Sequence, residues 1–207
     1  MTDRPILFSG PMVRAILDGS KTQTRRVVKP QPASGARSSP FVPSGIEDGH
    51  GRAIVCPYGA PGDRLWVRET WQSCGTGPYE DGCAIRYRAD DTIRVQRFDP
   101  GADGPAPAPT KAWRPSIHMP RWASRLTLEV LGVRVERLQA ITEEDARAEG
   151  TPRNDIGRFL PPYPNTAGWM HALDAFPGWW DAFNGRRPGC SWEANPWVWV
   201  VSFRRLP

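Results

Sequence analysis

"LDGSKTQTRRVV", Leu17 to Val28, sets a lysine, two threonines and two arginines directly behind a short apolar segment. Upstream, Met12, Val13, Ile16 and Leu17 share one face at helical spacing. Ser9 can cap that helix, Pro11 is tolerated in its first turn, and Gly19 ends it. The residues beyond Gly19 have two readings. A solvated basic strand would leave Lys21 in water. An active-site turn would bring Lys21 and Thr24 together. Positions three apart in a regular strand face opposite ways, so this second reading requires a turn or bulge between Ser20 and Gln23.

Working outward, 207 residues suit one domain with its own core, expected to span 1–207. Hydrophobic residues at 39% and charged ones at 24% indicate a folded chain. The net charge of +5 and a pI near 9.3 favour an anionic partner, although the basic residues are spread rather than blocked. "MTDRPILFSG" lacks the pattern of a signal peptide, and no run approaches a membrane span, so a cytoplasmic protein without membrane contact is expected. Cys56, Cys74, Cys83 and Cys190 form no C-x-x-C pair, and His50, His118 and His171 stand at no ligand spacing to them. Reduced thiols, no metal and no cofactor are the expectation.

The 23 prolines and 20 glycines cluster. "KPQPASGARSSPFVPSG" (Lys29–Gly45), "DPGADGPAPAPT" (Asp99–Thr110) and "TPRNDIGRFLPPYPNTAG" (Thr151–Gly168) read as long exposed loops, giving insertions near 29–60, 97–112 and 151–168. Between them lie strand patterns. "GDRLWVRETW" and "CAIRYRAD" alternate in part. "RLTLEVLGVRVERL" alternates clearly, with Leu126, Leu128 and Val130 on one side and a bulge or bend expected at Gly132. "WVWVVSFRR" closes the chain as an aromatic, β-branched strand. Many strands and few helices indicate an α+β, mainly β, fold: a small mixed β-barrel with short flanking helices.

"ITEEDARAEG" is a helix with Thr142 as N-cap, acidic residues in its first turn and Gly150 at its end. Glu149 then falls in the last turn, where the helix dipole disfavours a carboxylate by roughly 0.3–1 kcal/mol. Either the residue is simply solvated or something compensates for it.

"GSKTQTRR", "PGDRLWVRE", "ITEEDARAEG" and the terminal "WVWVVSFRR" together resemble the ASCH domain family, of the PUA-like superfamily. The likeness extends over most of the chain and is strongest toward phage and prophage proteins of this type. It implies a PUA-like barrel that binds a nucleoside, RNA or a modified nucleic-acid base. Small ASCH proteins include an amidohydrolase that deacetylates N(4)-acetylcytidine. Carried over by motif, its lysine, threonine and glutamate correspond to Lys21, Thr24 and Glu149, with Arg26 as the basic residue after that threonine. The resemblance equally admits a binding module without catalysis, or a ribonuclease. The three insertions and the tryptophan-rich C-terminal third depart from the small enzymes.

Thr24 is a poor nucleophile until a base takes its proton. Lys21 could be that base only with its pKa lowered from about 10.4 to roughly 7–8, near 4 kcal/mol of differential interaction. Burial, Arg25 and Arg26 push that way; Glu149 pushes back. Lys21 could instead remain cationic while Glu149 carries the proton.

Further candidate substrate contacts are Glu69 in "GDRLWVRE" and His118, Arg121 and Trp122 in "RPSIHMPRWASR", with Trp71 as a pocket wall. Of the ten tryptophans, Trp197, Trp199, Trp179 and Trp180 are expected in the core, the last two on a helix beside Phe176 and Phe183. Unpaired bases would stack on those that face a pocket.

Overall fold

The C-terminal run Trp197–Arg205, expected as a strand, is an interior strand of the main sheet (β10). The computed structural model describes residues 1–39, 45–76, 82–97, 99, 101, 108–154, 156–160, 162 and 168–207. β10 pairs antiparallel with β9 (Thr127–Arg137) on one side and with β2 (Gln23–Val27) on the other. Val198, Trp199, Val200 and Val201 are all buried because both faces of this strand are covered. Trp199, Val201 and Phe203 meet one apolar cluster, while Val198 and Val200 meet a second. A nearly continuous apolar sequence is what such a two-sided strand needs.

β5 (Arg64–Arg68) pairs with β9, and β1 (Asp3–Leu7) adds in parallel to β5, giving the order β1-β5-β9-β10-β2. The register between β9 and β10 shifts where Ser202 faces Gly132 and Phe203 faces Val130, so Leu131 is the extra residue of a bulge beside the expected glycine. A hairpin of β3 (Ala36–Ser38) and β4 (Ile46–Asp48) and a three-stranded sheet of β6 (Trp71–Thr76), β7 (Gly82–Tyr87) and β8 (Ile93–Arg97) complete the strands. The helices are α1 (Gly10–Leu17), α2 (Glu143–Ala148) and α3 (Ala172–Asn184). No helix among the described residues is long and apolar enough to cross a membrane.

The fold is thus α+β and mainly β, as expected, but among the described residues no sheet closes into a barrel. β1 and β2 remain the two edges of the main sheet. They are joined by α1, and a side chain reaches between them: Arg26 Nη2 donates to the Leu7 carbonyl at 2.6 Å. One guanidinium satisfies a carbonyl there without a backbone ladder.

The exposed-loop expectations also change in part. Ala36–Ser38 and Ile46–Asp48 pair as strands within the first proline-rich region, and Ile46 and Cys56 join the core. In the third, Phe159 is buried and bridges to Arg153 and Trp169. Residues 40–44, 77–81, 98, 100, 102–107, 155, 161 and 163–167 lie outside the described residues.

Gly150 ends α2 with φ of +74°, and its missing side chain is required twice over. A Cβ there would stand 2.7 Å from Lys21 Cβ and 2.9 Å from Ala15 Cβ. Gly150→Ala should therefore destabilise by about 1–3 kcal/mol, combining overpacking with a strained backbone. Chemical denaturation reads this directly; an unchanged midpoint would contradict the close packing.

Candidate functional site

The chain turns at Asp18 and Gly19, where φ is +83°, and no turn or bend falls between Ser20 and Gln23. The bend that a Lys21–Thr24 contact requires is therefore absent, because the reversal is completed earlier at a glycine. Nor is Lys21 in water, as the alternative reading had it; its side chain is 0% exposed. The segment is instead held by its neighbours. Lys21 N–H donates to Ala15 O, Thr22 N–H to Ala148 O, and Phe203 N–H to Thr22 O. Strand periodicity then places Lys21, Gln23 and Arg25 on one side, and all three meet at Glu149 or its neighbours.

Lys21 Nζ donates to Glu149 Oε2, to the Glu149 carbonyl and to the Gln23 carbonyl, each at 2.8 Å. Arg25 Nη1 donates to Gln23 Oε1 at 2.7 Å and to Glu149 Oε1 at 3.3 Å. Arg25 Nη2 reaches Glu136 Oε1 at 2.6 Å and Asp145 Oδ2 at 2.8 Å. Arg134 binds the same two carboxylates from outside, at 3.0 Å and 2.5 Å. Three cations therefore face three carboxylates, and the ionic network is formally neutral. Burial pushes the Asp145 carboxyl up, but Arg25 and Arg134 outweigh it and hold the group below its ordinary value.

This network answers the awkward position of Glu149. It is the C-cap of α2, where a carbonyl and a carboxylate both lie at the negative end of the helix. The Lys21 ammonium satisfies both groups at once. Burial, aided by Arg26 and Arg25, draws the Lys21 pKa below its ordinary value against the pull of Glu149. Yet three acceptors surround Nζ, and a neutral amine has only two N–H groups to give. The ammonium is the form that this geometry holds, so Lys21 is not a free base here.

A cavity of about 540 Å³ wraps around the free edge of β2. Thr24, Arg25, Arg26 and Glu149 stand on its wall, and Lys21 lies behind Glu149, off the wall. Glu149 keeps 9% of its side chain exposed. Thr24 pairs opposite Val201, Arg26 opposite Trp199 and Arg25 opposite Val200, so the cavity touches both faces of β2. Phe8 closes one side, with Arg26 stacked over its ring at 5.1 Å.

The opposite wall is α3. Trp180 and Phe176 are buried as expected, but Trp179 is only partly buried and Phe183 is 42% exposed. These two, read from sequence as core, stack on one another at 6.1 Å and 18° and line the cavity with Phe176 and Trp180. They depart from the core because α3 buries Ala172, Ala175, Phe176 and Trp180, leaving the Trp179–Phe183 ridge turned aside. Their i, i+4 spacing, with Asn184 and Arg187 close behind, was the available signal. Tyr58, Lys29 and Arg187 are further cavity residues that sequence reading had not singled out.

The remaining sequence candidates are not brought to this cavity. Glu69 is buried in a bidentate pair with Arg125, at 2.8 and 3.0 Å, and burial raises its carboxyl pKa against that pull. Trp71, the first residue of β6, is fully buried and edge-on to Trp122 at 6.3 Å. His118 and Arg121 are exposed; Arg121 pairs with Asp3 at 3.3 Å. All five sit on or beside the β6–β8 sheet and its short 3-10 turns, a region from which Thr70, Ser116 and Ile117 reach the cavity wall.

No protein-family model, curated protein or solved structure matches this chain. The likeness to the ASCH family therefore rests on the motifs themselves, and the site is read from its own geometry.

Proposed function

We propose that the chain is an ASCH-type, PUA-like protein whose cavity binds a nucleoside or nucleic-acid base and hydrolyses an amide on it, N(4)-acetylcytidine being the substrate class that the motifs imply. One observation carries this reading. A carboxylate, Glu149, is held by a buried ammonium and a buried guanidinium on the wall of an aromatic, cation-bearing cavity that Thr24 also lines. The volume lies within the range of about 300–1,000 Å³ usual for small-molecule sites. Trp179 and Phe183 offer faces on which a base can stack.

In this reading the Thr24 proton passes to Glu149 by way of water, because the strand sets the two side chains on different faces of β2, and Thr24 Oγ1 adds to the acetyl carbonyl. The C–N bond breaks, Glu149 returns the proton to the departing cytosine amine, and water hydrolyses the acetyl-threonine ester to acetate. Arg26, the strand guanidinium that no carboxylate pairs among the described residues, would stabilise charge on the carbonyl oxygen. Lys21 touches no substrate; it is a positioning residue that fixes Glu149.

A binding module without catalysis is the second reading, favoured by the full commitment of Lys21 to three acceptors. Incubation with N(4)-acetylcytidine separates the two. Release of cytidine and acetate is expected for the enzyme, whereas saturable nucleoside binding with no turnover would sink the hydrolase.

A further inference from the structure

The cations on the cavity wall are not equivalent. Arg25 is neutralised by Glu136, Asp145 and Glu149. Arg26, Lys29 and Arg187 also line the cavity, and none makes an ion pair among the described residues. Glu149 is the one carboxylate among the lining residues, and Lys21 and Arg25 already hold it. The wall therefore carries uncompensated positive charge.

Arg26 is the anchored member. It lies over Phe8, and Nη2 is fixed on the Leu7 carbonyl, while its buried Nε has no hydrogen-bond partner. That donor is open to a ligand or solvent partner. Burial draws the Arg26 pKa down; Tyr58 and Glu149 oppose this, and the Arg187 guanidinium adds to it. Arg26 and Arg187 are guanidinium groups on the wall of one cavity, where like charges repel. An anion between them would relieve that repulsion, and a guanidinium pair is well shaped for phosphate oxygens. Arg187 lies just past the end of α3, so the stacked Trp179–Phe183 rings and this cation come from the same helix end.

We propose that Arg26, Lys29 and Arg187 form a phosphate clamp, so that the ligand is a phosphorylated nucleoside: its base lies on the aromatic wall and its phosphate on these three cations. This rests on the base-binding reading above and extends it from nucleoside to nucleotide. The phosphate could belong to a free nucleotide or to a nucleic-acid strand. An adjoining basin shares Pro11 and Gly150–Pro152 with the cavity and is edged by Arg14, Arg147 and Arg153, so a strand has a path onward.

The test is calorimetric titration of the full chain, at low salt, with cytidine, CMP, AMP, inorganic phosphate and the trinucleotide CpCpC. CMP should bind about tenfold or more tightly than cytidine, as one charge-assisted contact provides. Phosphate should compete with CMP. The CMP-to-cytidine affinity ratio should fall toward one in Arg187→Gln and in Lys29→Gln, both exposed positions that leave the core intact. Arg204→Gln, the same charge change at a residue paired with Glu129 outside the cavity, should preserve the ratio. Equal affinity for CMP and cytidine, or a ratio untouched by both cavity variants, overturns the clamp. CpCpC binding that is Arg187-dependent and tighter than CMP supports the clamp with a strand as source; weaker binding than CMP supports it with a free nucleotide. Failure of the parent reading looks different. Arg187-dependent binding of CMP and AMP without acetate release would retain the clamp and remove the hydrolase, while turnover of free N(4)-acetylcytidine with no effect of phosphate would do the reverse.

Discussion

Lys21→Met should lower the stability of the protein by about 3–5 kcal/mol, the usual effect of removing one partner from a buried ion pair. For a chain of this size that is a fall in Tm of roughly 10 °C, readable by calorimetry. The loss has identifiable parts. Glu149 Oε2, the Glu149 carbonyl and the Gln23 carbonyl lose their common donor at once. Methionine fills much of the lysine volume, so the effect belongs to charge and hydrogen bonding rather than to a cavity. Arg25 remains on Glu149 at 3.3 Å and softens the outcome. Adding Glu149→Leu should recover part of the loss, because an apolar pair needs no compensation. A coupling of about 0.5–3 kcal/mol between the two changes is expected for groups in contact. Additive effects, or a Lys21→Met protein as stable as the parent, would show that the buried pair is not charged.

The largest expected effect on activity is that of Glu149→Gln. The amide preserves the shape of the side chain and keeps one acceptor oxygen for either Lys21 or Arg25, but it cannot take a proton. Turnover of N(4)-acetylcytidine should fall by about 10²–10⁴-fold in kcat, the range of a lost general base. Nucleoside affinity, carried by the aromatic wall, should change far less. Thr24→Val removes the hydroxyl and keeps the β-branched shape opposite Val201, so β2 should remain paired. Its turnover should fall similarly if Thr24 forms the acyl intermediate. Glu149→Gln with turnover within a few-fold of the parent would remove Glu149 from the chemistry. Loss with Glu149→Gln alone, and none with Thr24→Val, would mean that water attacks directly.

Much of this site was legible in the local sequence. The helix stop at Gly19, the Thr142 cap, the bulge beside Gly132 and the apolar β10 obey residue-level rules that act over a few positions. Glu149 was already conspicuous, since a carboxylate at a helix C-terminus violates such a rule. Its compensation could not be read locally, because Lys21 lies 128 positions away.

Chain periodicity also specified more than motif spacing did. Lys21, Gln23 and Arg25 alternate, and Arg25 rather than Thr24 is the strand residue that joins Lys21 at Glu149. The motif likeness had drawn attention to positions three apart. The extended backbone from Lys21 onward places them on different faces.

Sequence by itself determined the helices that follow Ser9 and Thr142, the long strands β9 and β10, and that a lysine, a threonine and a glutamate in particular contexts were worth pursuing. Those are consequences of side-chain shape and local hydrogen bonding. Tertiary structure alone decided that the main sheet stays open between β1 and β2, that Glu69 and Trp71 serve a separate core, and that Trp179 and Phe183 face a cavity instead of being buried. The reason is that burial and charge compensation depend on which surfaces meet. A half-apolar helix face and an unpaired arginine read the same in sequence whether a core, a carboxylate or a cavity comes to lie opposite them.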